Sequence, residues 1–157
     1  GDEVTLCLAE DRATFAVGNA TLSTSLLQVE FPNYRQLIQP SYPNTLTVAR
    51  EALLEAVRRC RIFARETTPV RLEMTATSLK LSVITQDIGN SEEEIDCSLE
   101  GTEMIVGFNP EYLAAGIEAV TGDEITIQTT DPQRPAVLRG VGADDYLYLV
   151  MPQRLTV

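Results

Sequence analysis

The chain has 157 residues, 44% of them hydrophobic, and a formal net charge of -11 from 23 acidic and 12 basic residues. That length suits one domain with a sizeable core and a little chain to spare. The acidic sum argues against gripping nucleic acid by bulk charge, which needs clustered Lys and Arg. The absence of histidine excludes Ser-His and Cys-His dyads, His-ligated zinc and imidazole acid-base chemistry.

No apolar run approaches the ~20 residues of a membrane span, and no charged-then-apolar leader opens the chain. GDEVTLCLAE begins without Met and directly on strand-like alternation, as expected of a piece cut from something longer, and a cytoplasmic location is the default. Cys7, Cys60 and Cys97 are odd in number and far apart, which predicts buried free thiols with no metal or redox role. Glu92-Glu93-Glu94 and Asp144-Asp145 keep carboxylate chemistry open, although a charge run is ordinarily a solvated face.

In chain order, residues 1–35 read as a strand meander (VTLCLAE, ATFAVG, TLSTSLLQVEF) with turn signals at Glu10-Asp11 and Gly18-Asn19 and no helix to cover a face. They look like the tail of a preceding, similar domain. FPNYRQLIQPSYP, rich in Pro and aromatics, is the expected linker, with residues 36–43 leading into a complete domain at 44–157.

Next comes a strand (TLTV, 45–48) and a helix predicted over Arg50 to Glu66, whose Leu53, Val57, Cys60 and Ala64 fall on one face. Three strands follow: VRLEM (70–74), LKLSVI (79–84) and EEIDCSL (93–99). MIVGF (104–108) then precedes a second helix, predicted over Asn109 to Thr121, with Asn109 as N-cap, Pro110 at the first helical position and Gly122 as the stop. EITIQT (124–129), AVLRGV (136–141) and YLYLVM (146–151) complete the pattern. Pro152 removes a ladder donor, which predicts that pairing stops there and that Gln153, Arg154 and Leu155 run free.

The two helical stripes coincide at an offset of 60 residues: Leu53 with Leu113, Val57 with Ile117, Cys60 with Val120, and Ala56 with Gly116 as small residues between. Residues 44–152 are therefore two copies of a strand, helix, three-strand unit. The fold class is α+β, with antiparallel sheets outside and two helices on one face sharing a single core, since two separate domains of this size would each be marginal.

On a wheel of the first helix, Arg50, Arg58, Arg61 and Arg65 lie within roughly 80° of one another beside the core stripe. Such a strip could touch a phosphate backbone, or could only solubilise a surface helix through i, i+4 pairing. Nothing reads base edges or offers a stacking platform, so any nucleic-acid contact would be sequence-independent. Ile62 lies almost opposite the core stripe and should be exposed beside Phe63, which suggests a partner surface. The run from Glu92 guards an edge-like strand or forms half of a charged interface.

The paired unit, the linker FPNYRQLI, the helix start FNPEYL and the ending YLYLVMPQRL together resemble the bacterial DNA polymerase III beta subunit, the sliding clamp family. The resemblance covers essentially the whole chain, as the end of a middle domain plus the complete third domain, and implies the DNA clamp fold. It implies a non-enzymatic processivity factor without cofactor or metal, whose protomers pair into a homodimeric ring around double-stranded DNA. Helices line the hole, which would make Arg50, Arg58, Arg61 and Arg65 DNA-facing; the second helix, with Glu111 and Glu118 and no basic residue, departs from that pattern.

The resemblance further implies a pocket for short motifs of the DNA polymerase III alpha subunit, the clamp loader delta subunit and other partners. The matching positions are Pro32, Gln36 and Leu37, then Asn109, Tyr112 and Pro135, and at the end Leu149, Val150, Met151, Pro152, Gln153, Arg154 and Leu155. Gln36 stands where a basic residue is more usual. Ile62, Phe63, Glu92 and Glu93 match the ring-closing surface. From a different class, the alternative is an acidic metal-dependent hydrolase using Glu92 to Glu94 or Asp144 and Asp145; a third is a peptide-binding module that does not engage DNA.

Overall fold

The computed structural model describes residues 3–64, 68–85, 89–143 and 145–155. Two compact units divide the chain, Gly1–Tyr34 and Arg35–Val157. The first is a three-stranded antiparallel meander of β1 (Thr5–Leu8), β2 (Arg12–Val17) and β3 (Ala20–Ser25). Its register pairs Leu6 with Phe15 and Phe15 with Leu22, so one face gathers Val4, Leu6, Leu8, Phe15, Val17 and Leu22, all exposed within the unit. The opposite face is polar, with Thr14 and Ser23 hydrogen-bonded at 3.0 Å. Cys7 lies there and is exposed, which corrects the expectation that all three thiols are buried; Cys60 is buried and Cys97 half-buried.

A single 3₁₀ turn at Tyr34–Gln36 carries the chain from the first unit's last residue into the second. Its elements are β4 (Asn44–Ala49), α1 (Arg50–Arg61), β5 (Val70–Met74), β6 (Ser78–Thr85) and β7 (Gly89–Glu100), then β8 (Met104–Phe108), α2 (Pro110–Ala119), β9 (Glu124–Thr129), β10 (Ala136–Gly140), β11 (Tyr148–Val150) and β12 (Pro152–Gln153). The strand order is β11-β10-β9-β4-β7-β6-β5-β8-β12. The two copies are thus present but interlocked: β4 of the first pairs with β9 of the second, and β8 of the second pairs with β5 of the first. Each half-sheet takes three strands from one repeat and the leading strand from the other.

Both seams between the halves are paired. At one, β7 gives residues 97–100 to β4 while its residues 89–96 pair with β6. At the other, the chain leaves β11, passes Met151, and sets Pro152 opposite Phe108 and Gln153 opposite Gly107. This corrects the expectation of a free tail. Opposed residues in an antiparallel ladder alternate between pairs that exchange hydrogen bonds and pairs that make none. Proline, lacking the N–H, takes a position of the second kind opposite Phe108, so the chain stops pairing with one sheet at Val150 and starts pairing with the other at Pro152.

The helices bury the predicted stripes. Leu53, Val57 and Cys60 of α1 and Leu113 and Ile117 of α2 have no exposed surface, and they join Leu46, Leu72, Leu81, Phe108 and Ile127 in one cluster. Truncating one such leucine to Ala costs roughly 2–5 kcal/mol. Tyr148 lies on Gly116 so closely that a Cβ there would sit 2.4 Å from the ring. The inward residues of β11 are therefore Tyr148 and Val150, while Met151 is exposed.

Helix α2 starts as expected, with Asn109 Oδ1 accepting from the N–H groups of Glu111 (2.8 Å) and Tyr112 (3.3 Å), and it stops at Ala119 rather than Thr121. Helix α1 has no side-chain cap; the carbonyl of Asp123 accepts from Arg50 N (2.8 Å) and that of Gly122 from Arg50 Nε (3.0 Å). It ends at Arg61, short of Glu66, because Ile62, Phe63 and Ala64 donate to carbonyls three residues back, tightening the turn. Thr85 Oγ1 holds the Phe63 carbonyl at 2.7 Å.

Candidate functional site

Two recesses adjoin along one loop. The first, about 140 Å³, is lined by Gln36, Leu37 and Gln39 and by Thr130, Gln133, Arg134 and Pro135. The second, about 260 Å³, is lined by Pro132, Gln133, Pro152, Gln153 and Arg154. Residues 130–135, joining β9 to β10, wall both, and Gln133 borders each. Within this loop Asp131 organises the backbone: its Oδ1 accepts from Gln133 N (2.8 Å) and its carbonyl from Arg134 N (3.4 Å). An Asp-Pro pair whose Asp side chain bonds the backbone two residues on is a turn signal, legible in the sequence as Asp131-Pro132, yet the resemblance points only to Pro135 of this loop.

The expected peptide-binding residues therefore separate into groups. Gln36, Leu37 and Pro135 meet in the first recess; Pro152, Gln153 and Arg154 meet in the second. Asn109 and Tyr112 follow one and four residues after Phe108, the partner of Pro152, and Tyr112 is 62% exposed. Met151 is exposed, whereas Val150 is turned into the core at 3% exposure and Leu149 is half-buried; Val150 has no side-chain surface to offer a ligand, contrary to expectation. Leu155 packs on Gly107, where a Cβ would lie 2.7 Å from its Cδ2. Pro32 belongs to the first unit and is exposed. Gln153 Oε1 is buried without a hydrogen-bond partner among the described residues.

The arginines of α1 do not stand free. Arg58 meets Glu118 at 2.9 Å and Glu55 at 3.9 Å, Arg61 pairs with Glu111, and Arg50 reaches Glu51 at 3.3 Å. Arg59, outside the predicted strip, forks onto both oxygens of Glu93 at 2.9 and 3.0 Å. The four arginines of α1 are thus matched by Glu51 and Glu55 on the same helix, by Glu111 and Glu118 on α2 and by Glu93 on β7. Arg65 lies outside the described residues. Arg61 at the end of α1 pairs with Glu111 near the start of α2, and Arg50 at the start of α1 donates to the Gly122 carbonyl just past the end of α2, so the helices run antiparallel.

On the far side of α1, Ile62 is 75% exposed and Phe63 packs partly against the core. Cys60 Sγ lies 3.9 Å from Ser91 Oγ, which sets this end of the helix beside β7. Residues 89–96 of β7 pair only with β6, so among the described residues this stretch has one unpaired ladder side. Glu93 faces α1, and the Arg59 hydrogen bonds hold its carboxyl below the usual carboxylate range. Glu92 is drawn to Lys80 at 2.7 Å instead. Glu92 and Glu93 therefore point to opposite faces, each held by its own cation, and do not converge as a metal-binding pair would; Asp144 lies outside the described residues. Burial pushes the Cys60 and Cys97 thiols up. Among the described residues, no helix is long and apolar enough to cross a membrane.

Comparison with known proteins adds a family. Residues 35–154 match the model of the DNA polymerase III beta subunit, C-terminal domain. The beta sliding clamp of Synechococcus elongatus is 31% identical over 160 residues, covering 99% of this chain and 43% of that protein. That of Streptomyces coelicolor is 30% identical over 167 residues, covering 99% and 44%. Among solved structures, the Caulobacter crescentus pol III beta superposes with a TM-score of 0.84 at 25% identity, covering 99% of this chain and 42% of that one. A Bartonella birtlesii DnaN sliding clamp bound to griselimycin gives 0.82 at 26% identity, covering 97% and 41%. The chain spans less than half the length of these relatives.

Proposed function

Since this chain belongs to the DNA polymerase III beta subunit family, we propose that it serves as part of a sliding clamp: a non-catalytic, cytoplasmic processivity factor that encircles duplex DNA and tethers the replicative polymerase. In this reading residues 1–35 are the closing strands of a middle domain, 36–43 the linker and 44–157 the third domain. The observation that carries the partner-binding role is the pair of adjoining recesses, in which the linker, the 130–135 loop and the C-terminal strand meet. A short peptide of the polymerase alpha subunit or the clamp loader delta subunit lies along them, over Met151 and Tyr112, with the Gln153 amide bonding its backbone.

Ring closure uses the free side of β7. An exposed Ile62 beside a strand with one open ladder side and outward Glu92 is suited to pairing with a strand of a second subunit. DNA contact falls to Arg50, Arg58, Arg61 and Arg65, acting on phosphates without reading sequence. The test is fluorescence anisotropy of a labelled clamp-binding peptide from the alpha subunit, with griselimycin as competitor. Saturable binding that griselimycin displaces, and that is lost on deleting residues 152–155, is expected; binding untouched by that deletion overturns the assignment.

A further inference from the structure

Asn44 is 4% exposed, and every hydrogen-bonding group of its side chain is used. Its Oδ1 accepts from Thr102 N at 2.8 Å, and its Nδ2 donates to the carbonyls of Thr129 (3.3 Å) and Thr130 (3.1 Å). One amide thereby joins three segments: the end of the linker, one residue after Pro43; the turn between β7 and β8; and the entry to the loop that walls both recesses. The last ladder pair between β9 and β10 is Gln128 with Val137. Beyond it the Thr130 carbonyl has no strand partner on that side, and the Asn44 amide supplies its donor. A carboxylate cannot donate in this way and an aliphatic side chain can do neither; a primary amide does both from one planar group.

We propose that Asn44 is the positioning residue of the peptide site: its buried amide fixes where the Thr130–Pro135 loop stands against the linker and the C-terminal strand, and so sets the width of both recesses. This rests on the peptide-site reading given above. Because the loop is internally braced by Asp131, it moves as a piece about Thr130, and the bond at Thr130 governs the placement of Gln133, Arg134 and Pro135 together. Asn44 touches neither recess itself.

The test uses Asn44→Asp, which keeps the shape and the acceptor for Thr102 N but removes both donors. Leu46→Ala in the same strand is the control, a core cavity of general destabilising effect. Two quantities are read under conditions where all three proteins are folded: the affinity of the labelled alpha-subunit peptide, and hydrogen exchange at Gln133 and Arg134. Asn44→Asp is expected to weaken binding about 10-fold, the size of one net hydrogen bond, and to speed exchange in the loop, with Leu46→Ala matching the wild type in both. Equal binding and equal loop exchange in Asn44→Asp and the wild type overturn the proposal, as does equal weakening by Leu46→Ala. If the wild type binds no peptide, the site reading fails separately, and loop exchange alone decides whether Asn44 places the loop. Should Asn44→Asp not fold, Asn44→Ser is read by the same two measurements.

Discussion

Arg58 and Glu118 occupy the same position in the two repeats, 60 residues apart, and their side chains meet at 2.9 Å between the helices. A basic strip read from one helix is therefore answered by the other. Both side chains are about half exposed, so a double-mutant cycle should give a coupling within ~1 kcal/mol. The larger effect is on nucleic acid: Glu118→Gln and Glu111→Gln free Arg58 and Arg61 and should raise association with duplex DNA. Arg58→Ala with Arg61→Ala should lower it and flatten its salt dependence by up to about 0.9 per lost phosphate contact. A fall in DNA association for the glutamate variants would show that these arginines do not face DNA.

Gly116→Ala is expected to destabilise the protein by roughly 1–3 kcal/mol, the usual range for overpacking. The new methyl meets the Tyr148 ring at 2.4 Å. Chemical denaturation checks this, and combination with Tyr148→Ala should recover part of the loss.

Leu155→Ala and Met151→Ala should each weaken peptide binding by ~1 kcal/mol or more if they lie at the centre of the contact. They differ in a second respect. Leu155 covers Gly107, so its truncation should also speed hydrogen exchange in β8, whereas Met151, being exposed, should leave β8 unchanged.

The Arg59 pair lowers the Glu93 carboxyl below its ordinary value. The stability it contributes is therefore fully present above the unfolded Glu value of about 4.3 and is lost as the pH falls through the lower folded value. Glu93→Gln should cost a little stability at neutral pH and nothing once the pH is below that folded value. Melting curves across the acid range decide it.

Thiol labelling should modify Cys7 rapidly, since it is exposed. Cys60 and Cys97 should react slowly, because burial disfavours their thiolates. Mass spectrometry of partial labelling reads out the order.

Repeat and core were legible because periodicity reports burial: Leu53, Val57, Leu113 and Ile117 repeat at helical spacing and all four are fully buried. The exchange of β4 and β8 between the repeats was not legible, because an alternating strand carries no record of which neighbour it pairs with. At the end of the chain, Pro152 looks like a stop, although the rule forbids only the donor and leaves proline free to take a non-hydrogen-bonded position of the ladder opposite Phe108. The ion pairs of α1 escaped for a related reason: a helical wheel places Arg58 and Arg61 on one face but cannot show Glu118 and Glu111 arriving from another helix. Asn44 gave no signal at all, since a lone Asn beside a proline looks like any linker residue until its three partners are seen.

The interlocking of the repeats has a consequence for how the unit could be divided. A single strand-helix-three-strand segment keeps β5, β6 and β7 together but has nothing to place on the side of β5 that faces away from β6, and its own leading strand finds only half of its neighbours. Severed at the turn near Thr102, the two pieces would each expose an edge shaped for the other, and they should reassociate when mixed. One piece alone would meet the same need by pairing with its own twin, so the peptide link near Thr102 turns what would be an association between molecules into a property of one.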